Sequence, residues 1–282
     1  ILLQTSPDRT LRENSFRSYY KSYRQHINTF AAAYAGAVKA ATAEAAARHY
    51  PSSRAMAMAG ENIPEAVYDN LVSTVRAHLP VMYRYVALRK RLLGLEELHY
   101  YDVYAPLTGQ STARYTYEQA QQMVLAAVAP LGADYCAEVR RGLAQRWVDV
   151  YPNKGKSGGA YSTGTYDSEP YILMNFTGTL DSVSTLAHEM GHSMHSLLAN
   201  RRQPPQYANY TLFVAEVAST VNENLMIEQL LENERDPAAR LALLNQYLEN
   251  FKGTVFRQTM FAEFERDAHA MRERGEALSP AA

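Results

Sequence analysis

The segment His188-Glu189-Met190-Gly191-His192 sets two imidazoles four residues apart, with a carboxylate beside the first. On an α-helix this spacing separates the two side chains by about 40° around the axis and one turn along it, so both rings can address a single ion. Glu189 falls about 100° round from His188, too far to share that ion easily and well placed to reach a water bound to it. Two imidazoles on a metal, with a carboxylate poised beside its open position, are what metal-assisted hydrolysis requires. Leu186, Ala187, Met190, Leu197 and Leu198 predict a buried helix over 181–200, where two unpaired imidazoles would be costly. Gly191 weakens a helix interior, which points to something packed closely on that face.

A catalytic zinc takes three protein ligands and keeps one position open, and zinc suits imidazole and carboxylate donors. One known pattern would require Gly at 195 and a His at 198 as the third ligand, but this chain has His195 and Leu198, which excludes it. The remaining common choice is a carboxylate on a second helix. Within 213–220 Glu216 is the one charge in an apolar and small-residue run, so it either faces solvent or meets a strong partner. Glu223, two turns further on the same face, is the rival ligand or else a group that orients one. His195, one turn beyond His192, lines the site or packs beneath it.

The elements that must position these residues read as helices. From Arg9 to about Tyr50 there is no Pro and one Gly, and Phe16, Tyr19, Tyr20 and Tyr23 recur at helical spacing as a stripe expected in the core. Asn62-Ile63-Pro64-Glu65 starts a second long helix, whose face is expected at Val67, Leu71, Val75, Leu79 and Met82. Pro80 is expected to kink or divide it, and Gly94 to stop it. A loop follows over 102–115, carrying Pro106 and Gly109. Thr116 to Gln119 fits a capping box, and two helices follow with a break near 130–132. Between Asn153 and Gly178 the helical pattern vanishes into a Gly-rich loop and one or two short strands. Helix resumes at Asp181 and runs, with breaks near 204–205 and 237, to about 275. The chain is therefore expected to be mainly α, divided as a helical region 1–115 and a metal-binding region 116–282 that form one continuous core.

The composition excludes several partners. A net charge of −1 with charges spread along the chain gives no footprint for nucleic acid or an anionic membrane. No apolar run approaches the length of a membrane span. Cys136 is the single cysteine, so no internal disulfide can form, and a reducing, cytoplasmic setting is expected.

Beyond the site itself, the sequence resembles the oligoendopeptidase F branch of the M3 (thimet oligopeptidase-like) metallopeptidases. The resemblance rests on His188 to His192 with Ser193-Met194-His195-Ser196 and on 213–220. It rests also on Gly159-Ala160-Tyr161-Ser162, on Arg146 to Tyr151 and on Gly253 to Phe264. It implies a multi-helix, zincin-like catalytic domain with a small β-hairpin or sheet near the active site, and oligopeptide substrates. It further implies one Zn²⁺ held by His188, His192 and Glu216, with Glu189 as general base. The Gly-rich loop and following strand, with Gly159, Ala160, Tyr161 and Tyr166, are then expected to hold the peptide through backbone pairing. Family members are longer at both ends. Their C-terminal part carries a His- and Tyr-containing segment that donates hydrogen bonds to the reacting carbonyl, and nothing after Phe264 matches it. The chain is therefore expected to be a fragment, and losing one such donor typically costs on the order of a hundred- to a thousand-fold in rate. Two alternatives stay open: a helical zinc carboxypeptidase, and a zinc- and peptide-binding fragment without turnover.

Overall fold

The computed structural model describes residues 2–107 and 113–279. In chain order the helices are α1 (Arg9–Gln25), α2 (Ile27–Ala47), α3 (Ser53–Ala59), α4 (Glu65–Leu92), α5 (Tyr117–Ala127), α6 (Ala133–Ala144), α7 (Leu180–Arg202), α8 (Val217–Asn233), α9 (Pro237–Phe251) and α10 (Arg257–Glu273). The strands β1 (Val148–Asp149), β2 (Tyr161–Thr163) and β3 (Tyr171–Leu173) lie between α6 and α7. The mainly helical expectation holds. The chain forms two compact units, one from residues 1–110 with 244–282 and one from 111–243.

In the first unit, the run expected as one helix from Arg9 breaks at His26, whose φ of −114° and ψ of 14° end α1. Asp8 caps α1 by accepting from the Thr10 and Leu11 amides at 2.9 and 3.2 Å. The aromatic stripe on α1 is not core: Tyr19, Tyr20 and Tyr23 stay 39%, 42% and 45% exposed and pack on one another, with Phe16 on Tyr20 at 4.5 Å. Helix α4 runs unbroken through Pro80, contrary to division there. Pro80 and Arg76 are both exposed, so the Arg76 carbonyl that loses its helical donor can be hydrated instead. The buried stripe of α4 carries Val72 and Val75, while Val67 and Leu71 of the expected face are exposed.

Helix α10 returns against α2, α3 and α4. There the Ser53 amide and hydroxyl both donate to Glu273 at 2.8 Å, and the hydroxyl lies 2.7 Å from His269 Nδ1. Residues 244–282 thus group with the N-terminal helices, not with 116–243 as the sequence division had them. Periodicity tells which face of a helix is apolar; it does not tell which helix covers it. A buried ion pair holds the start of α1: Arg12 and Arg9 donate to Asp102 at 2.8 and 3.0 Å. Burial would raise the Asp102 carboxyl, yet these arginines hold it below the ordinary carboxylate range. Gly109 of the expected loop lies outside the described residues.

The second unit packs α5, α6, the sheet, α7 and α8 around Val124, Val139, Trp147, Ile172, Leu186 and Met190. The capping box at Thr116 and Gln119 is formed in both directions, at 2.8 and 3.2 Å. The sheet has the order β1-β3-β2, with β1 parallel and β2 antiparallel to β3. Two residues long, β1 gives no alternation that a sequence reading could find. The Ile172 and Met174 amides donate to β1-side carbonyls, Trp147 and Asp149, at 2.7 and 2.9 Å. Tyr171 and Leu173 therefore serve β2, whose partners across the ladder are Thr163 and Tyr161. Ser162 is left with its N–H and C=O on the outer edge, which no strand covers among the described residues. Cys136 is half-buried, its thiol donating to the Val128 carbonyl at 3.5 Å.

Candidate metal centre

Thr179 caps α7 by accepting from the Ser182 amide, and the helix then passes through the centre of the second unit. Leu186, Ala187, Met190 and Leu197 are buried as expected, whereas Leu198 is 40% exposed. Helix α8 lies directly on α7 at Gly191. A Cβ there would meet the Ala218 carbonyl oxygen and Ser219 Cα at 2.7 Å, closer than a side chain allows. Buried Asn222 locks the pair, donating to the Ala187 carbonyl at 3.0 Å and accepting from the Tyr135 hydroxyl at 3.2 Å.

This close approach delivers Glu216 to the histidines. Glu216 is not inside a helix, as the sequence pattern suggested. It is the residue before α8, with φ −89° and ψ 1°, and a short 3₁₀ turn, Leu212–Val214, precedes it. From there Glu216 Oε2 stands 3.3 Å from Nε2 of His188 and 3.3 Å from Nε2 of His192, and it accepts the Ser219 hydroxyl at 2.7 Å. The two Nε2 atoms are 3.1 Å apart. The three residues form a group whose ligand atoms lie within 4.8 Å of one another.

Electrostatics make such a cluster costly alone. His188 Nδ1 meets Glu223 Oε1 at 2.6 Å, and since a carboxylate only accepts, Nδ1 carries the proton and Nε2 offers a lone pair. Glu223 thus holds His188 from its Nδ1 side and lies outside the group formed by His188, His192 and Glu216. Burial opposes charging His188, but Glu223, Glu189 and Glu216 outweigh it and raise its pKa. For His192 burial prevails and its pKa falls. Burial also drives the Glu189 carboxyl upward; it is 6% exposed, held in part by the Ser162 backbone, and its Oε2 has no hydrogen-bond partner among the described residues. Two imidazole nitrogens and a carboxylate at these distances form a donor set that could hold a cation, and the N and O donors fit zinc.

The family model for peptidase family M3 matches residues 2–281. The chain belongs to peptidase family M3. It is 50% identical over 275 residues to the oligopeptidase PepF of Bacillus subtilis, covering 98% of this chain and 41% of that protein. With the group B oligopeptidase PepB of Streptococcus agalactiae identity is 44%, over 99% of this chain and 46% of the other. The crystal structure of oligoendopeptidase-F from Enterococcus faecium superposes with a TM-score of 0.72 at 38% identity, covering 99% of this chain and 43% of that one. A Chlamydophila abortus structure reaches a TM-score of 0.86 at 39% identity, covering 99% and 47%. The chain thus spans somewhat less than half the length of these relatives.

Within this family M3 chain, the residues read for peptide contact occupy different places. The Gly159 carbonyl is already taken by Asn175 Nδ2 at 2.8 Å, and Gly159 needs its φ of +81° to turn the loop. Ala160 follows it directly into β2. Tyr161 lies on the outer face of the sheet, 49% exposed, beside Tyr151 and Tyr171 in a shallow cavity. Tyr166 donates to the Gln203 carbonyl at 2.9 Å and borders a second cavity. His195 stacks flat on Tyr210, with ring centroids 3.6 Å apart and an angle of 6°. Its pKa is lowered, first by burial and then by His192. Sequence reasoning missed Ser193, whose hydroxyl meets that of Ser162 at 2.8 Å and ties β2 to α7, and it missed Tyr210. Ser193 had only its place in a buried helix as a signal; Tyr210, in a loop, had none.

Proposed function

We propose that this chain is the zinc-bearing core of an endopeptidase that hydrolyses peptide bonds in oligopeptides. The observation that carries the reading is the meeting of two imidazole Nε2 atoms and the Glu216 carboxylate within 3.3 Å of one another, with the unpartnered Oε2 of Glu189 on the same helix. His188, His192 and Glu216 would hold the ion, and Glu223 would keep His188 in the tautomer that binds it. The chemistry such an ion supplies is Lewis acidity toward a peptide carbonyl and toward water. Glu189 removes the proton from the attacking water and passes it to the leaving amine nitrogen. Its burial favours this duty, because burial lifts the carboxyl above the ordinary carboxylate range and makes it a better proton acceptor.

The outer edge of β2 lies beside Glu189, which the Ser162 backbone holds, and a substrate would add to that edge as a strand through the backbone of Ala160 and the Ser162 carbonyl. Backbone pairing is indifferent to side chains, which suits varied oligopeptides. The single Cys136 supports a reducing, cytoplasmic setting, and no described helix is long and apolar enough to cross a membrane.

The test is metal content together with cleavage of a quenched fluorescent peptide blocked at its C-terminus. One zinc per chain with cleavage supports the endopeptidase. Cleavage of the unblocked peptide only would favour a carboxypeptidase. Zinc without cleavage of either would leave a metal- and peptide-binding core, and no zinc would sink the reading.

A further inference from the structure

A second cavity, of about 490 Å³, lies one to two turns past His192 along α7. Its walls are Thr163 at the end of β2, the loop after it at Thr165, Tyr166 and Ser168, the helix at Ser196 and Asn200, and the segment at Asn209 and Tyr210. Both sides are built firmly. On one side Tyr210 is clamped by its stack on His195 and by a 3.1 Å contact between its hydroxyl and that of Ser196. On the other, the turn at Thr165 is closed by Ser168, whose hydroxyl accepts the Thr165 amide at 2.8 Å. Glu169, next in the chain, is fixed by a two-pronged pair with Arg141. Among the described residues the lining carries hydroxyls and amides but no acid, lysine, arginine or histidine.

We infer that this cavity is a substrate subsite for an uncharged side chain, one able to hydrogen-bond, about three residues on the N-terminal side of the cleaved bond. The inference rests on the peptidase reading. Ser162 faces Glu189 and the outer edge of β2, and the cavity opens past the C-terminal end of that strand. A peptide added antiparallel to β2 therefore sends its N-terminal residues toward the cavity. From Glu189 to Ser196 the helix advances about 10 Å, which an extended peptide covers in about three residues. Hydroxyl and amide walls satisfy Asn, Gln, Ser or Thr, whereas a charged group would lose water and gain no counter-charge. Aspartate and lysine are both disfavoured there, a pattern that a net field cannot produce.

The experiment measures fluorescence anisotropy with fluorescein-labelled, alanine-based octapeptides carrying one Asn, Asp or Lys at successive positions. The chain carries Glu189→Gln and zinc, so peptides stay intact. At one position the Asn peptide should bind about tenfold more tightly than either charged one. Adding Asn209→Lys, an exposed residue of the lining, should bring the Asp peptide level with Asn at that position alone. Equal affinities at every position, an Asn209→Lys effect spread over all positions, or no peptide binding overturns the proposal. Cleavage by the parent chain is scored separately. Cleavage without the charge pattern leaves the peptidase reading and removes the subsite; the pattern without cleavage does the reverse.

Discussion

His188 donates its Nδ1 proton to Glu223 across 2.6 Å, and that bond fixes which nitrogen faces His192 and Glu216. Losing it frees the ring to rotate and to change tautomer. Glu223→Ala should weaken zinc binding about 10- to 100-fold, with Glu223→Gln milder because an amide oxygen still accepts. Competition with a chromogenic chelator reads the affinity, and an unchanged far-ultraviolet circular dichroism spectrum separates this from unfolding. Equal affinity in all three proteins would remove Glu223 from the site.

Glu189→Gln keeps the shape of the side chain and abolishes its basicity. Zinc content should stay at one per chain while peptide cleavage falls about 10²- to 10⁴-fold. A variant that retains the parent rate would show that some other group moves the proton.

Two glycines give a controlled contrast. Gly191→Ala drives a methyl into the Ala218 carbonyl and the Ser219 backbone. It should cost about 1–3 kcal/mol in urea unfolding and lower zinc affinity, because Glu216 is the residue that leads into α8 and moves with it. Gly36, inside α2, has nothing within 4 Å of its would-be Cβ. Gly36→Ala should stabilise by about 0.5–1 kcal/mol and leave zinc affinity unchanged.

Asp102 supplies the pH dependence. Its carboxyl is lower in the folded chain than unfolded, so its contribution is complete above the unfolded value of about 3.9 and is lost as pH falls through the folded value. Asp102→Asn strands Arg12, which is buried, and should cost about 3–5 kcal/mol near pH 7. The gap between parent and variant in urea titrations should close below about pH 4; a constant gap would show that the ion pair contributes nothing to acid sensitivity.

The helical architecture and the His188–His192 pair were legible because both follow from spacing on one helix. Glu216 was legible as a charge out of place, but not its position: whether it lay within the helix or just before it depends on the turn at 212–214, which no periodicity marks. The Phe16 to Tyr23 stripe misled for a different reason. Helical spacing shows that aromatics share a face, and here they shield one another instead of entering a core. Tyr210 and Ser193 act through contacts that only the packing of α7 creates.

The grouping of residues 1–110 with 244–282 sets an order of events during synthesis. Helices α2, α3 and α4 leave the ribosome before α10, the helix that packs on all three, has been translated. At about 5–20 residues per second the intervening segment takes on the order of ten seconds to emerge. The inserted unit, with His188, His192 and Glu216, can close within that interval, while the N-terminal helices wait with apolar faces uncovered. Nascent chains of this protein are therefore most in need of a chaperone before residue 257, whatever the stability of the finished molecule.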